Sequence, residues 1–210
     1  MIYNALLIAG AYLIGSIPSA VWIGKSFRGI DVREHGSKNA GATNTMRVLG
    51  FKTGIPVLLI DILKGFAAIK LALLSPDLIA GANAFVNFQL MLGAAAVVGH
   101  VFPIFAGFRG GKGVATIVGI LLALHWPATM IAIGIFLITL FIFRYVSLGS
   151  LMMGLSFPIS VILIFDSDSI SLRIFSLVVC LALFITHRKN ISRLLHGQES
   201  KATFLFKSWR

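Results

Sequence analysis

Long apolar runs fill most of this chain, and they restrict what it can fold into more than any other feature. Hydrophobic residues make up 58% of its 210 residues and charged residues only 12%. A core of this size cannot bury so much apolar surface, so the remainder must contact lipid. Because about 20 apolar residues cross the hydrocarbon layer, the sequence predicts an all-α integral membrane protein, a bundle of seven transmembrane helices in a single domain, residues 1–210. The predicted spans are about 2–24, 53–74, 84–105, 113–126, 127–144, 147–165 and 170–187.

The fourth and fifth apolar runs are the hardest to separate. Only His125, Trp126 and Pro127 stand between them, and the fourth run is short for a transmembrane helix. A short run is compatible with a tilted or re-entrant segment that neighbouring helices shield from lipid. Six transmembrane helices therefore remain an alternative to seven.

Basic residues lie at the ends of the apolar runs and predict the orientation of the chain. If the first loop is cytoplasmic, the four segments on that side contain fifteen of the eighteen Lys and Arg residues, as the positive-inside rule requires. The opposite side has acidic residues instead, at Asp77, Asp166 and Asp168. The sequence thus predicts an N-terminus outside and a cytoplasmic C-terminus. The net charge of +11 then reflects membrane topology, and no nucleic-acid partner is expected.

The polar segment from Gly36 to Arg47 has the composition of an oxyanion site. It joins two glycines and two cations to small hydroxyl and amide side chains, in an otherwise apolar chain. Glycine lets backbone N–H groups approach an anion closely, hydroxyl and amide groups donate hydrogen bonds, and Lys or Arg neutralises the charge. The segment therefore predicts anion binding in the first loop.

A glycine-rich turn, Gly110 to Thr116, predicts a second phosphate-binding segment. It contains Lys112 and leads into the fourth apolar run, and the N-terminus of a helix binds phosphate through its unpaired N–H groups. The turn is not a Walker P-loop, because Ala106 and Gly113 stand where that pattern needs Gly and Ser or Thr. Nucleotide hydrolysis is therefore not expected.

The end of the last apolar run is a third polar cluster. His187 and Asn190 are three residues apart and share a helix face if the helix continues. Arg188 and Lys189 lie beside them, but topology and the helix dipole are sufficient to explain these two cations. We therefore take His187 and Asn190 as the better functional candidates.

Several polar residues lie inside the apolar runs. His100, in the third run, either has a function or bonds a neighbouring carbonyl. Ser16 lies near a kink predicted at Pro18, where it either has a function or belongs to the small residues that allow close helix packing. Asp61 and Lys64 have the spacing of an ion pair on one helix face.

Metal and cofactor chemistry are not expected from the sequence. No two histidines have HExxH spacing, and acidic residues are too few for a metal site or a pair of catalytic carboxylates. Cys180, the single cysteine, lies in an apolar run and is interpreted as a small hydrophobic residue. What remains is anion binding by cations, polar side chains and backbone N–H groups.

The chain resembles the bacterial acyl-phosphate-dependent glycerol-3-phosphate acyltransferases along nearly its whole length. The matching elements occur in the family's order: Gly15–Pro18, Gly36–Asn44, Asp61 with Lys64 and Gly65, Gly99–Pro103, Gly110–Thr116, and His187, Arg188, Asn190, Ile191, Arg193, Leu194 and Gly197. The resemblance implies transfer of a fatty acyl group from acyl phosphate to glycerol 3-phosphate, giving 1-acylglycerol 3-phosphate (lysophosphatidate) and phosphate. This is the first acylation step of phospholipid biosynthesis.

The resemblance also implies the setting of the reaction. It implies a multi-pass protein of the bacterial plasma (inner) membrane with its site on the cytoplasmic side, a soluble enzyme that makes the acyl phosphate, and no cofactor. In the hypothesis that follows, the catalytic residues are Ser37, Arg47, Lys112, His187 and Asn190. Substrate binding would involve Ser16, Gly36, Asn39, Gly41, Thr43, Asn44, His100, Gly110, Gly111 and Gly113.

Within this hypothesis Arg47 and Lys112 clamp phosphates, because acyl phosphate is already activated and needs positioning and charge neutralisation above all. His187 and Asn190 orient the glycerol phosphate, and the proton acceptor is either His187 or a substrate phosphate oxygen. The alternative function is a transporter or channel for a phosphorylated anion. A transporter or channel would need polar residues on both sides of the membrane, whereas the polar clusters here are predicted mostly on one side.

Overall fold

The computed structural model describes residues 2–75 and 82–205, and within them the protein is helical without strands. Asp77, Lys207 and Arg210, which entered the orientation prediction, lie outside the described residues. The described α-helices are α1 (Ile2–Gly15), α2 (Ser19–Arg28), α3 (Ala42–Leu49), α4 (Phe51–Lys70), α5 (Ala82–Val101), α6 (Val114–Phe143), α7 (Val146–Ile159), α8 (Ile170–Thr186) and α9 (Arg188–Leu195).

The chain divides into two compact units, Met1–Leu124 and His125–Arg210. The division falls at His125, where the backbone of α6 is non-helical, with φ −152° and ψ 76°. This residue begins the separator that the sequence suggested between the fourth and fifth runs, and Pro127 follows it within α6. The single domain predicted from the sequence stays a prediction.

Several helices have the length and apolar composition that a membrane span requires. Among the described residues four stretches meet this requirement, Ile2–Arg28, Asn83–Ala106, Val114–Phe143 and Val146–Ile164, and the pair α8 and α9, bent by 63°, makes up to five. Helix α4, the predicted second span, is not among them, since it carries Lys52, Asp61, Lys64 and Lys70. The membrane protein class agrees with the prediction, but the count of seven helices is not confirmed. The orientation of the termini stays a prediction.

Glycines permit two close helix crossings in the first unit. A side chain on Gly15 would collide with the backbone of Ala96, which fixes how closely α1 approaches α5. A side chain on Gly65 would collide with the Thr116 carbonyl oxygen, so α4 and α6 also meet backbone to backbone. Small residues at helix crossings are a common means of packing in membrane proteins, where van der Waals contact replaces the hydrophobic effect.

The second unit contains α7, α8 and α9. Helix α7 continues into a π-helical turn, Ser160–Ile164, and Ser169 caps α8 by accepting a hydrogen bond from the Leu172 N–H at 3.2 Å. Beyond α9 the chain folds back, and the Ala202 N–H donates to the Arg144 carbonyl oxygen at 2.7 Å. Helix α9 follows directly after His187, at the bend from α8.

Candidate active site

The segment from Gly36 to Arg47 forms a loop followed by α3, and Asn44 organises it. The Asn44 amide donates to the carbonyl oxygens of Val32 at 2.7 Å and His35 at 3.1 Å, and its oxygen accepts from the Ser37 N–H at 2.8 Å. Both amide hydrogens of this side chain, which is 1% exposed, are therefore used inside the protein. The structure thus gives Asn44 the task of shaping the loop.

Backbone geometry explains the first glycine of the segment. Gly36 has φ +59°, and a Cβ there would lie 2.5 Å from the Asn44 side-chain oxygen. The loop ends at Gly41, whose carbonyl oxygen accepts from the Thr45 hydroxyl at 3.1 Å as α3 begins. Thr43 and Arg47 are one turn apart on α3, so they share a face of this helix. The predicted residues Ser37 and Asn39 lie in the loop that precedes α3.

The glycine-rich turn leads directly into α6, as the sequence predicts. The N–H groups of Gly110 and Gly111 donate to the carbonyl oxygens of Val101 and His100 at 3.1 and 3.2 Å. Gly113 has φ +81°, and its carbonyl oxygen accepts the Ile117 N–H at 2.8 Å in the first turn of α6. Lys112 lies half-buried between these glycines at the N-terminus of a long helix.

Gly111 brings the two predicted phosphate segments together. A Cβ on Gly111 would lie 2.6 Å from the Ala40 carbonyl oxygen and would collide with Nε2 of His100. Gly110 has no more room, since a side chain there would collide with the His100 carbonyl oxygen. The loop before α3 and the turn before α6 are therefore adjacent in the first unit. Neither segment's sequence alone predicts this contact.

A buried ion pair lies beside this contact. Asp61 Oδ1 is 2.8 Å from Lys64 Nζ, and the two side chains are 2% and 3% exposed, which confirms the predicted pair. Lys64 also donates to the Ile17 carbonyl oxygen at 2.9 Å, where Pro18 separates α1 from α2. The Ser19 hydroxyl donates to Asp61 at 2.7 Å. The Ile17 carbonyl oxygen also accepts from the Ser19 N–H at 3.0 Å.

His100 and Ser16 are both buried in the first unit. His100 Nδ1 is 3.0 Å from the Thr116 hydroxyl and 3.8 Å from Asp61 Oδ1. His100 lines a small cavity together with Asp61, Lys64, Gly110 and Gly111. Ser16 packs against Gly99, and within the described part of the chain its buried hydroxyl has no hydrogen-bond partner. Ser16 thus lies in the close contact between α1 and α5.

The second unit contains the third polar cluster. His187, 2% exposed, directly follows α8, and its Nδ1 lies 2.8 Å from the Leu183 carbonyl oxygen. Because a carbonyl only accepts, Nδ1 carries a proton, so Nε2 is an acceptor when the ring is neutral. Asn190, 5% exposed, lies in the first turn of α9 and donates to Glu199 Oε1 at 2.7 Å.

Comparison with known proteins identifies the family. The sequence model of the glycerol-3-phosphate acyltransferase family matches residues 5–197. The chain belongs to this family. It is 41% identical to the glycerol-3-phosphate acyltransferase of Chlorobium phaeobacteroides, over 94% of this chain and 96% of that protein. It is 42% identical to the protein of the same name from Chlorobaculum tepidum, again over 94% and 96%.

Solved structures of the acyltransferase family have the same fold. The crystal structure of PlsY (YgiH), an integral membrane glycerol 3-phosphate acyltransferase, in its glycerol 3-phosphate form matches with a TM-score of 0.86 and 33% identity, over 99% of each chain. The lysophosphatidic acid form of PlsY matches with a TM-score of 0.80 and 34% identity, over 94% of each chain. The family expected from the motifs is thus confirmed, and the protein is an integral membrane protein.

Glu199 has a structural role that the local sequence does not predict. Its carboxylate accepts from the Ser147 hydroxyl at 2.8 Å and the Asn190 amide at 2.7 Å through Oε1, and from Arg193 Nε at 2.7 Å through Oε2. The side chain is 8% exposed. Its one sequence signal was being the only acidic residue after α8, among many cations.

The carboxylate of Glu199 makes stability depend on pH. Partial burial raises its pKa, but the hydrogen bonds from Arg193, Asn190 and Ser147 outweigh this effect, so the pKa lies below its ordinary value. A lowered folded-state pKa stabilises the protein above the unfolded-state pKa, and this stabilisation disappears as the pH falls through the folded-state pKa.

We expect Glu199→Gln to lower the free energy of unfolding at neutral pH by about 1–2 kcal/mol. Gln keeps an oxygen for Ser147 and Asn190 but loses the charge facing Arg193. Thermal unfolding of the wild type and the variant in detergent, from about pH 7 to about pH 3, measures the effect. The difference between their free energies of unfolding should become smaller as the pH falls. Glu34→Gln, at an exposed acid, is the matched control. A gap that stays constant with pH would contradict the role of the charge.

Proposed function

We propose that this protein transfers a fatty acyl group from acyl phosphate to glycerol 3-phosphate, producing 1-acylglycerol 3-phosphate and inorganic phosphate. The observation that carries the proposal is the contact of Gly111 with Ala40. It places the segment that contains Arg47 beside the segment that contains Lys112, so two phosphate-bearing substrates have adjacent places to bind. The relatives' names and the glycerol 3-phosphate and lysophosphatidic acid forms of PlsY support the same reaction class.

The reaction mainly requires that the phosphate charges are neutralised and that the two substrates are correctly positioned. Acyl phosphate is a mixed anhydride, so attack by a glycerol hydroxyl on its carbonyl carbon forms the ester and breaks the bond to phosphate. Arg47, Lys112 and the N–H groups at the starts of α3 and α6 offset the charge on the phosphates. No metal enters this scheme, and among the described residues no cluster of His, Cys, Asp and Glu could hold one.

His187 and Asn190 supply the acid–base and orienting groups in this proposal. The hydroxyl must lose its proton as the ester forms, and Nε2 of neutral His187 has the lone pair that a general base requires. Asn190 is held by Glu199, which fixes the side chain that would orient glycerol 3-phosphate. We further propose a plasma-membrane location, catalysis on the cytoplasmic side and a soluble enzyme that supplies acyl phosphate.

A donor comparison tests the proposal directly. Purified protein in detergent receives labelled glycerol 3-phosphate with either acyl phosphate or the acyl-coenzyme A thioester of the same chain. We expect labelled lysophosphatidate from acyl phosphate alone. An equal amount of product from the thioester would contradict the proposal that acyl phosphate is the specific donor. No product from either donor, with folded protein, would contradict acyl transfer itself.

Removal of either proposed clamp residue should be severe. We expect Arg47→Ala and Lys112→Ala each to lower kcat/KM by about 100- to 1000-fold, because each removes a charge that stabilises the transition state. Initial rates at varied concentrations of both substrates measure this. Arg28→Ala, at an exposed cation at the end of α2, should keep the rate within about twofold. Full activity in both clamp variants would refute the clamp.

A further inference from the structure

Arg33 has a contact set that its place in the first loop does not predict. Its Nε lies 3.0 Å from Asp31 Oδ1 and its Nη2 lies 2.7 Å from Asp31 Oδ2, a bidentate pair. Its Nη1 donates to two backbone carbonyls, of Ala106 at 2.7 Å and Arg109 at 3.1 Å. The guanidinium therefore joins the first loop to the loop between α5 and α6.

Each end of this connection is itself held in place. The Arg33 side is the 3₁₀ turn Val32–Glu34, and the Val32 carbonyl oxygen accepts from Asn44, which also binds the Ser37 N–H. On the other side, Arg109 immediately precedes Gly110, whose N–H is bound to α5. Hydrogen bonds therefore restrain the backbone between the guanidinium and each of the two predicted phosphate-binding segments.

The Asp31–Arg33 pair is stably ionised and mostly shielded from water. The hydrogen bonds from the Arg33 guanidinium lower the pKa of Asp31 to about 2, so the carboxylate stays charged at any pH used for an assay. The two side chains are 10% and 14% exposed. A bidentate Arg–carboxylate pair also fixes the plane of the guanidinium, which leaves Nη1 aimed at the two carbonyls.

We propose that Arg33 is a positioning residue that sets the separation of the two phosphate-binding segments. The inference rests on the proposed function, because positioning matters only if the segments hold reacting groups. Arg33 itself binds no substrate in this scheme. Without it each segment keeps its own anion-binding groups, but the two bound substrates lose their alignment, and misplacement by about 1 Å costs about 100-fold in rate.

The test separates kcat from KM in the full chain. We expect Arg33→Ala to lower kcat by about 30- to 100-fold while KM for each substrate changes by less than about threefold. Arg33→Lys should recover little, because one ammonium cannot hold a carboxylate bidentately and reach two carbonyls. Arg28→Ala removes the same charge from an exposed position and should keep kcat within about twofold.

Several results would overturn the inference. Wild-type kcat in Arg33→Ala would do so, and so would an equal loss in Arg28→Ala, which would indicate net charge as the cause. If Arg33→Ala does not fold, Asp31→Asn takes its place, because it weakens the bidentate contact but keeps the guanidinium; kcat of the folded variant should fall by about 3- to 10-fold. Wild-type kcat there would contradict positioning. Turnover by the wild-type protein in the same assay tests the proposed function separately.

Discussion

Replacing Gly111 by alanine is expected to reduce acyl transfer by at least about 100-fold. The new Cβ would lie 2.6 Å from the Ala40 carbonyl oxygen and would collide with the His100 ring. The first neighbour is backbone, and the second is a buried ring whose Nδ1 lies 3.0 Å from the Thr116 hydroxyl. The turn before α6 must therefore move away from the loop before α3. The kcat of purified protein at saturating concentrations of both substrates measures the loss.

Gly134→Ala is the matched control for this variant. Gly134 lies within α6, and beyond the backbone of its own helix a Cβ there would meet no atom within 4 Å. We expect wild-type kcat and a gain in stability of about 0.5–1 kcal/mol, because alanine restricts the unfolded chain. Activity of Gly111→Ala within about fivefold of wild type would contradict the claim that this contact sets the geometry of the site.

Replacing Lys64 by methionine should produce the largest loss of stability. The change leaves the Asp61 carboxylate buried without its counter-ion and removes one of the two hydrogen bonds that the Ile17 carbonyl oxygen accepts. Breaking one side of a buried ion pair costs about 3–5 kcal/mol, because the remaining charge is uncompensated. Unfolding in detergent, followed by circular dichroism, measures the free-energy difference.

Two further variants show whether the unpaired charge causes this loss of stability. Asp61→Asn combined with Lys64→Met removes both charges and keeps an oxygen for the Ser19 hydroxyl, so we expect most of the stability to return. Lys52→Met removes an exposed lysine from the same helix and should change stability by less than about 0.5 kcal/mol. If the single and double variants were equally unstable, packing around Lys64 rather than charge balance would be the cause.

Local sequence patterns predicted the parts of this structure that depend on neighbours in the chain. The Asp61–Lys64 pair follows from a spacing of one helical turn. The non-helical backbone at His125 and the break before α2 follow from Pro127 and Pro18, because proline disrupts the helix that precedes it. The start of α6 after Gly113 follows from the glycine-rich turn that precedes an apolar run.

Contacts with backbone carbonyl oxygens could not be predicted from local sequence patterns. Arg33 binds carbonyl oxygens 73 and 76 residues away, and every residue type offers the same carbonyl, so no sequence signature marks the partner. Asn44 was predicted to bind substrate because it belongs to a segment with the composition of an anion site. In the structure, both hydrogens of its side-chain amide donate to carbonyl oxygens of the protein. The role of Glu199 depends on the chain folding back after α9, which short polar segments do not reveal.

The placement of Asp61 and Lys64 on one helix has a consequence for biosynthesis. When α4 leaves the ribosome, the aspartate already has its lysine, so both charges reach apolar surroundings as one neutral unit. A pair divided between two helices would leave each charge alone until the second helix had been synthesised. Helix α4 therefore does not have to wait for α5 or α6 before its charges are matched. Moving the lysine to a neighbouring helix, with the finished contact preserved, is expected to delay the assembly of the nascent chain.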